Sequence, residues 1–328
     1  MLCDEIQEWL SNDIIRKVGI GGVTSELLQS AVKFDLSDDV TYQVGLLSAS
    51  KPKPMLEAMK VARLPYPVCW FEFNAAPRGR GYAAGGIVVS DDPECRHPTR
   101  IGLLMIDLKE EGSGCVLSIP YWRNPTDAGP YGDSLLFRYN CSPFALRIHS
   151  DPVHSLNFQD IAELQESMAA SNHVWHSYRH DQEAMKQVID IFQHHDLIQT
   201  TEKLDFMSAE MQEGAKMDSA SELGFVTMLT MALNSKKLLS TQTVSMDRLN
   251  AQRQKAGKSK LSDYVQVRLS SAVKDALHSP GPAPERDPHW VRGHFKQLMH
   301  TKAGPQLVWW SPHIRGGGQP EVKGYRVG

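Results

Sequence analysis

The chain has 328 residues, a formal net charge of −3, 41% hydrophobic and 22% charged residues, 24 glycines and 19 prolines. That is ordinary globular composition: it excludes collagen-like, mucin-like and wholly disordered chains, and the length accommodates two or three domains of roughly 100–200 residues each. The longest nearly apolar run, Leu223 to Leu233, falls well short of the about 20 residues a membrane-spanning helix needs, and the acidic start (Asp4, Glu5, Glu8) is unlike a signal peptide.

In chain order, Asp4 to Val18 reads as an amphipathic helix, with Ile6, Trp9, Leu10, Ile14 and Ile15 at helical spacing and Gly19 just beyond it. Pro54 opens a second helix that ends before Pro65. Short apolar, branched and aromatic runs follow at Val68–Phe73, Gly85–Ser90, Ile101–Leu108, Cys115–Pro120, Ser134–Tyr139 and Phe144–His149, separated by turn formers. They predict an α+β domain over residues 1–150 built on an antiparallel sheet. The glycine-rich stretch Gly79 to Gly86 reads as a hairpin turn, since neither a phosphate-binding Gly-Lys-Ser/Thr nor a helix start follows it. Residues 151–245, nearly free of Pro and Gly over most of their length, predict a helical segment, and residues 246–328 a small basic β-rich module with a strand at Tyr264 to Leu269.

Charge divides sharply along this plan. Residues 248–328 hold 14 Lys and Arg against 5 Asp and Glu, a net of +9, which leaves −12 on residues 1–247. Clustered cations of this kind suit a polyanion, because they neutralise phosphates and release counterions. The same asymmetry also fits an acidic body docking its own basic tail. Arg253, Lys255, Lys258 and Lys260 crowd one loop and are candidate phosphate contacts.

Near the end, His289 to Lys296 and Leu307 to Arg315 predict a β-hairpin. A register placing Val291 opposite Ile314 and Phe295 opposite Trp310 gives one apolar side. The other side then carries Trp290, Arg292, His294, Lys296, Trp309, His313 and Arg315. Cations for phosphates beside rings for base stacking form a nucleic-acid surface, although a tryptophan hairpin packed at a domain interface has the same pattern. In this register His294 and His313 are diagonal neighbours and candidate acid and base of a metal-independent ribonuclease. His173, His176 and His180, at i, i+3 and i+7 of a helix, are candidate metal ligands, and Asp38, Asp39, Asp91 and Asp92 with Glu72 a remoter two-metal candidate. No cofactor is expected. Five cysteines, an odd number without a C-x-x-C pair, signal neither a disulfide framework nor a zinc knuckle and fit a reduced, intracellular protein.

With Arg253-Gln-Lys-Ala-Gly-Lys258, Leu261 and Tyr264, then Arg292-Gly-His-Phe-Lys296 and Trp309 to Gly316, residues 248–328 resemble a group of uncharacterised phage and prophage proteins. These share an R-x-K-x-G-K loop and an R-G-H-x-K/R hairpin, and Leu64-Pro-Tyr-Pro67 to Phe73 is similar to their N-terminal half. The resemblance implies a viral or mobile-element context, in the host cytoplasm or with the virion, and carries over no catalytic residue. The expected function is nucleic-acid binding (RNA or DNA) through the basic aromatic C-terminal module, with no membrane partner. The alternatives are the His294/His313 ribonuclease and a phage assembly or host-interaction protein docking on an acidic protein surface.

Overall fold

The computed structural model describes residues 1–12, 22–49, 59, 62–85, 98–110, 113–125, 138–149, 190, 193–194, 196–201, 207–220, 222–235, 237–278, 289–291, 294–298, 306–310 and 313–315. Two compact units emerge: residues 1–234 with 241–268, and residues 235–240 with 269–328. The division differs from the expected three segments because Tyr264–Leu269, read as part of a separate basic module, is a strand of the main sheet.

That sheet contains β1 (Val32–Leu36), β2 (Val68–Asn74), β3 (Arg100–Glu110), β4 (Ser113–Arg123), β5 (Tyr139–Cys141), β6 (Phe144–His149), β7 (Ile198–Thr200), β8 (Leu239–Val244) and β9 (Tyr264–Leu269). Its order is β7-β6-β4-β3-β2-β1-β9-β8, with β5 also on β4. The fold is α+β, as composition and pattern predict, but the sheet is mixed rather than antiparallel. β1 lies parallel to both β2 and β9, whereas β2 to β7 pair antiparallel. β1 is followed by helix α3 (Asp38–Ser48), so β2 is reached by a crossover rather than a hairpin, and parallel pairing follows.

Helices cover both faces. α1 (Leu2–Leu10) buries Leu2, Cys3, Ile6, Trp9 and Leu10, and together with Leu28 of α2 (Gly22–Ser30) packs on Trp70, Leu104, Ile119 and Tyr121. Alternation along β2 sends Phe71 and Phe73 to the other face, where Phe71 stacks on Phe34 at 4.7 Å and Phe73 on Phe225 at 4.4 Å. Phe225 belongs to α6 (Leu223–Leu233), which packs beside α3 and α4 (Ala75–Ala84). The predicted hairpin turn in Gly79 to Gly86 is therefore corrected: through Ala84 this stretch is helix α4, with Gly85 as its C-cap. Gly81 serves helix packing, since a Cβ there would overlap the backbone carbonyl of Tyr42 on α3. α1 ends at Leu10, and the remainder of the predicted first helix to Val18 lies mostly outside the described residues, as do most of the helix from Pro54 and residues 150–189. The described part of the predicted helical segment includes strands β7 and β8 beside α5 (Ala209–Ala220) and α6.

Among the described residues, charges are buried on both faces of the sheet. On the α4 side, the Arg78 guanidinium is ion-paired to Glu222 and lies over the rings of Phe73, Tyr82 and Phe225 at 5.4–5.9 Å. Burial, with the neighbouring charge of Glu222, pushes the Asp218 carboxyl up to about 7. Burial likewise pushes the thiols of Cys3 and Cys69 up to about 12, so neither is a nucleophile at neutral pH. On the α1 side, Glu72 of β2 is fully buried and accepts five N–H bonds. Two come from the backbone of Leu2 and Cys3, at 3.1 Å each, in the first turn of α1. One comes from Trp70 Nε1 at 2.9 Å, and two from Arg100, at 3.0 and 2.6 Å. Glu72 is thus a helix cap supplied by the sheet, its negative charge set against the positive end of the α1 dipole. Arg100 also bonds Asp35 at 2.6 Å; burial still raises the Asp35 carboxyl against the opposing pull of that guanidinium.

Glu72→Gln removes the charge that Arg100 and the α1 amides share, leaving buried donors uncompensated. The expected cost is about 3–5 kcal/mol, read as a lower urea midpoint, and an unchanged midpoint would contradict this assignment.

Candidate nucleic-acid interface

Between β8 and β9 the chain leaves the sheet as a helix, α7 (Asp247–Lys255), and returns through residues 256–263. No residue of α7 is buried. A nine-residue helix without a packed face is marginal on its own, so its order needs another source. Side-chain hydrogen bonds supply it. The Asp263 carboxylate accepts from the Met246 amide at 2.6 Å and closes the base of the excursion. The Asn250 amide group donates to the Leu261 carbonyl at 2.9 Å and accepts from the Leu261 N–H at 2.7 Å, pairing helix and return limb as a strand would. Arg253 Nε donates to the Ser259 carbonyl at 2.7 Å.

The helix stops at a Schellman cap. Lys258 N–H bonds the Arg253 carbonyl at 2.9 Å and Gly257 N–H the Gln254 carbonyl at 3.1 Å, with Gly257 at φ +66°. The glycine of the R-x-K-x-G-K pattern thus occupies the left-handed position that ends the helix. One more tie reaches the body: Asp4 of α1 accepts from the N–H and hydroxyl of Ser262, at 3.1 and 2.9 Å. The result is an exposed, clamped hook. Arg248, Lys255, Lys258 and Lys260 are exposed on it and Arg253 is half-buried, its guanidinium partly spent on the clamp.

The C-terminal hairpin forms in a different register. β10 (His289–Val291) pairs with β13 (His313–Arg315), and β11 (His294–Leu298) with β12 (Gln306–Trp310). Phe295 lies opposite Trp309 rather than Trp310, and Val291 opposite His313 rather than Ile314, a slip of one residue. Trp309 is consequently buried, at 7% exposure, and Trp310 is the exposed indole, at 40%. Trp309 is therefore corrected from a stacking residue to a packing one. The cause is local: Leu307-Val-Trp-Trp310 is apolar at every position, so alternation cannot choose between the two registers.

Trp290 is opposite Ile314, Arg315 opposite His289 and Lys296 opposite Val308. His294 is opposite Trp310 and His313 opposite Val291, so the diagonal pairing that suggested an acid/base couple is not formed. Arg292 lies outside the described residues, as do His173, His176 and His180 and the pair Asp91 and Asp92. Asp39 accepts from the Val40 amide at 2.9 Å and Asp38 from the Asn74 side chain at 3.0 Å, both at the start of α3, while Glu72 is taken up by α1 and Arg100. Among the described residues no group of three or more His, Cys, Asp or Glu is placed to hold a metal ion. Nor, among them, is any helix long and apolar enough to cross a membrane.

Comparison with known proteins adds little to this geometry. No family model matches, and no curated protein matches. Among solved structures, the crystal structure of AcrVA2 is similar at a TM-score of 0.32 and 10% identity, over 86% of this chain and 70% of that one. A likeness at that level carries no argument about function.

If the clamp rather than burial orders the hook, Asn250→Ala should speed hydrogen exchange at the Leu261 amide at least tenfold while leaving the β2 and β3 amides protected. Unchanged exchange at Leu261 would show that the order has another source.

Proposed function

We propose that the protein binds nucleic acid through the α7 hook. The observation that carries this reading is the pairing of order with exposure. Residues 248–262 hold five cations and no carboxylate, bury none of the helix, and are still fixed by dedicated hydrogen bonds. A solvated loop without a ligand has no need of such a clamp, whereas fixed cations lose less freedom when they meet phosphates. The hairpin is the second part of the proposal: Trp290, Arg292 and Lys296 are its candidate contacts, while the slip sets Arg315 opposite His289 instead of Trp290 and removes it, with the buried Trp309, from that set. The resemblance of residues 248–328 to phage and prophage proteins supports a mobile-element setting for this activity. The displaced histidine pairing leaves the ribonuclease alternative without its geometric basis.

Anisotropy of a labelled oligonucleotide at about 50 and about 200 mM salt tests the reading. Wild type should bind with a steep salt dependence. The combined variant Lys255→Gln, Lys258→Gln, Lys260→Gln should bind roughly tenfold or more weakly at the lower salt, with a log–log slope reduced by about 2–3. Absence of binding at the lower salt removes the proposal and favours an acidic protein partner, and an equal slope in the variant moves the contacts elsewhere.

A further inference from the structure

The hook's construction also bears on which nucleic acid it takes, an inference that rests on the reading above. Asn250 and Arg253 are tied back to the return limb, which defines the inner side of α7. Arg248, Ala251, Gln252 and Lys255 recur at i, i+3, i+4 and i+7, so they form one stripe, and all four are exposed. Its chemistry is specific. Arg and Gln are the side chains whose paired donors and acceptors match guanine and adenine edges, and alanine between them lets a helix approach closely. Between Ser245 and Asp263 there is no aromatic residue and no histidine, so the hook offers no aromatic platform on which unpaired bases stack. Lys258 and Lys260, just past the C-terminal end of the helix, are exposed and placed to meet a flanking backbone.

A helix is about 10–12 Å across with its side chains, and α7, at nine residues, is about 13 Å long. The major groove of B-form DNA is about 12 Å wide and admits such a helix, whereas the narrow major groove of an RNA duplex does not. We infer that the hook's ligand is double-stranded DNA, with the Arg248, Ala251, Gln252 and Lys255 stripe of α7 laid in the major groove and Lys258 and Lys260 on the adjoining phosphates.

The test uses the full chain with three labelled ligands of one mixed sequence: a DNA duplex of about 20 base pairs, one of its single strands, and the corresponding RNA duplex. Duplex DNA should bind at least tenfold tighter than either of the others. Ala251→Glu, which sets a carboxylate in the middle of the stripe, should erase that preference. Far-ultraviolet circular dichroism and the urea midpoint of this exposed variant should match wild type. Equal or tighter binding of single-stranded DNA or the RNA duplex overturns the inference and leaves nucleic-acid binding intact. So does a duplex preference that survives Ala251→Glu, since the stripe then does not face the ligand. Failure of all three ligands to bind removes the underlying reading as well.

Discussion

A single buried carboxylate, Glu72, fixes how the first helix meets the sheet. It lies on β2, fully enclosed, with its oxygens shared among the α1 amides, the Trp70 indole and the Arg100 guanidinium. An ionised group at such a depth is stable only when its acceptor sites are filled, and five N–H bonds fill them. The helix start, the indole and the guanidinium are therefore positioned together. Arg100 extends the network to Asp35 on β1 and, at 3.0 Å, to Asn74 at the end of β2.

From that point order passes outward by polar contacts rather than by burial. α1, held at its start, presents Asp4 to Ser262, and Ser262 belongs to the limb that brings the hook back to β9. Nothing in α7 is packed in a core, and its apolar residue Leu249 is 43% exposed. The hook keeps its shape because Asn250, Arg253, Gly257 and Asp263 each satisfy a specific backbone requirement. The five cations of residues 248–262 ride on that frame between Asp247 and Asp263, in a chain whose first 247 residues carry a net charge of −12. The attraction that such a body exerts on the cations is screened over about 8–10 Å, so the hydrogen bonds of the clamp, not the charge of the body, set the hook's shape.

Much of the fold was legible in the sequence where short apolar, branched and aromatic runs are bounded by turn formers, the mark of strands buried on both faces. β6 is recovered at its predicted bounds, and β2, β3 and β4 at one or two residues' remove or slightly longer. The reading failed where local pattern is ambiguous. Gly79 to Gly86 looks like a turn because glycine is read as flexibility, whereas Gly81 is there for the close approach of α3. β1, with Lys33 and Asp35 between its buried residues, is too short to show a period, and Lys33 donates to the Gln29 carbonyl at 3.1 Å instead of marking a surface. The hairpin register was undetermined because four successive apolar residues, 307–310, satisfy either choice. Of the candidate site, the cationic loop was visible from charge alone. Its clamp was not, since the Asn250–Leu261 and Met246–Asp263 pairings depend on a return path that no spacing encodes.

Amide chemical-shift mapping of the labelled full chain during titration with a short DNA duplex tests the central claim most directly. The largest changes should fall on the amides of residues 248–260, with the Leu2 and Cys3 amides on Glu72 unmoved. Saturable binding that leaves residues 248–260 unperturbed and shifts resonances elsewhere would contradict it.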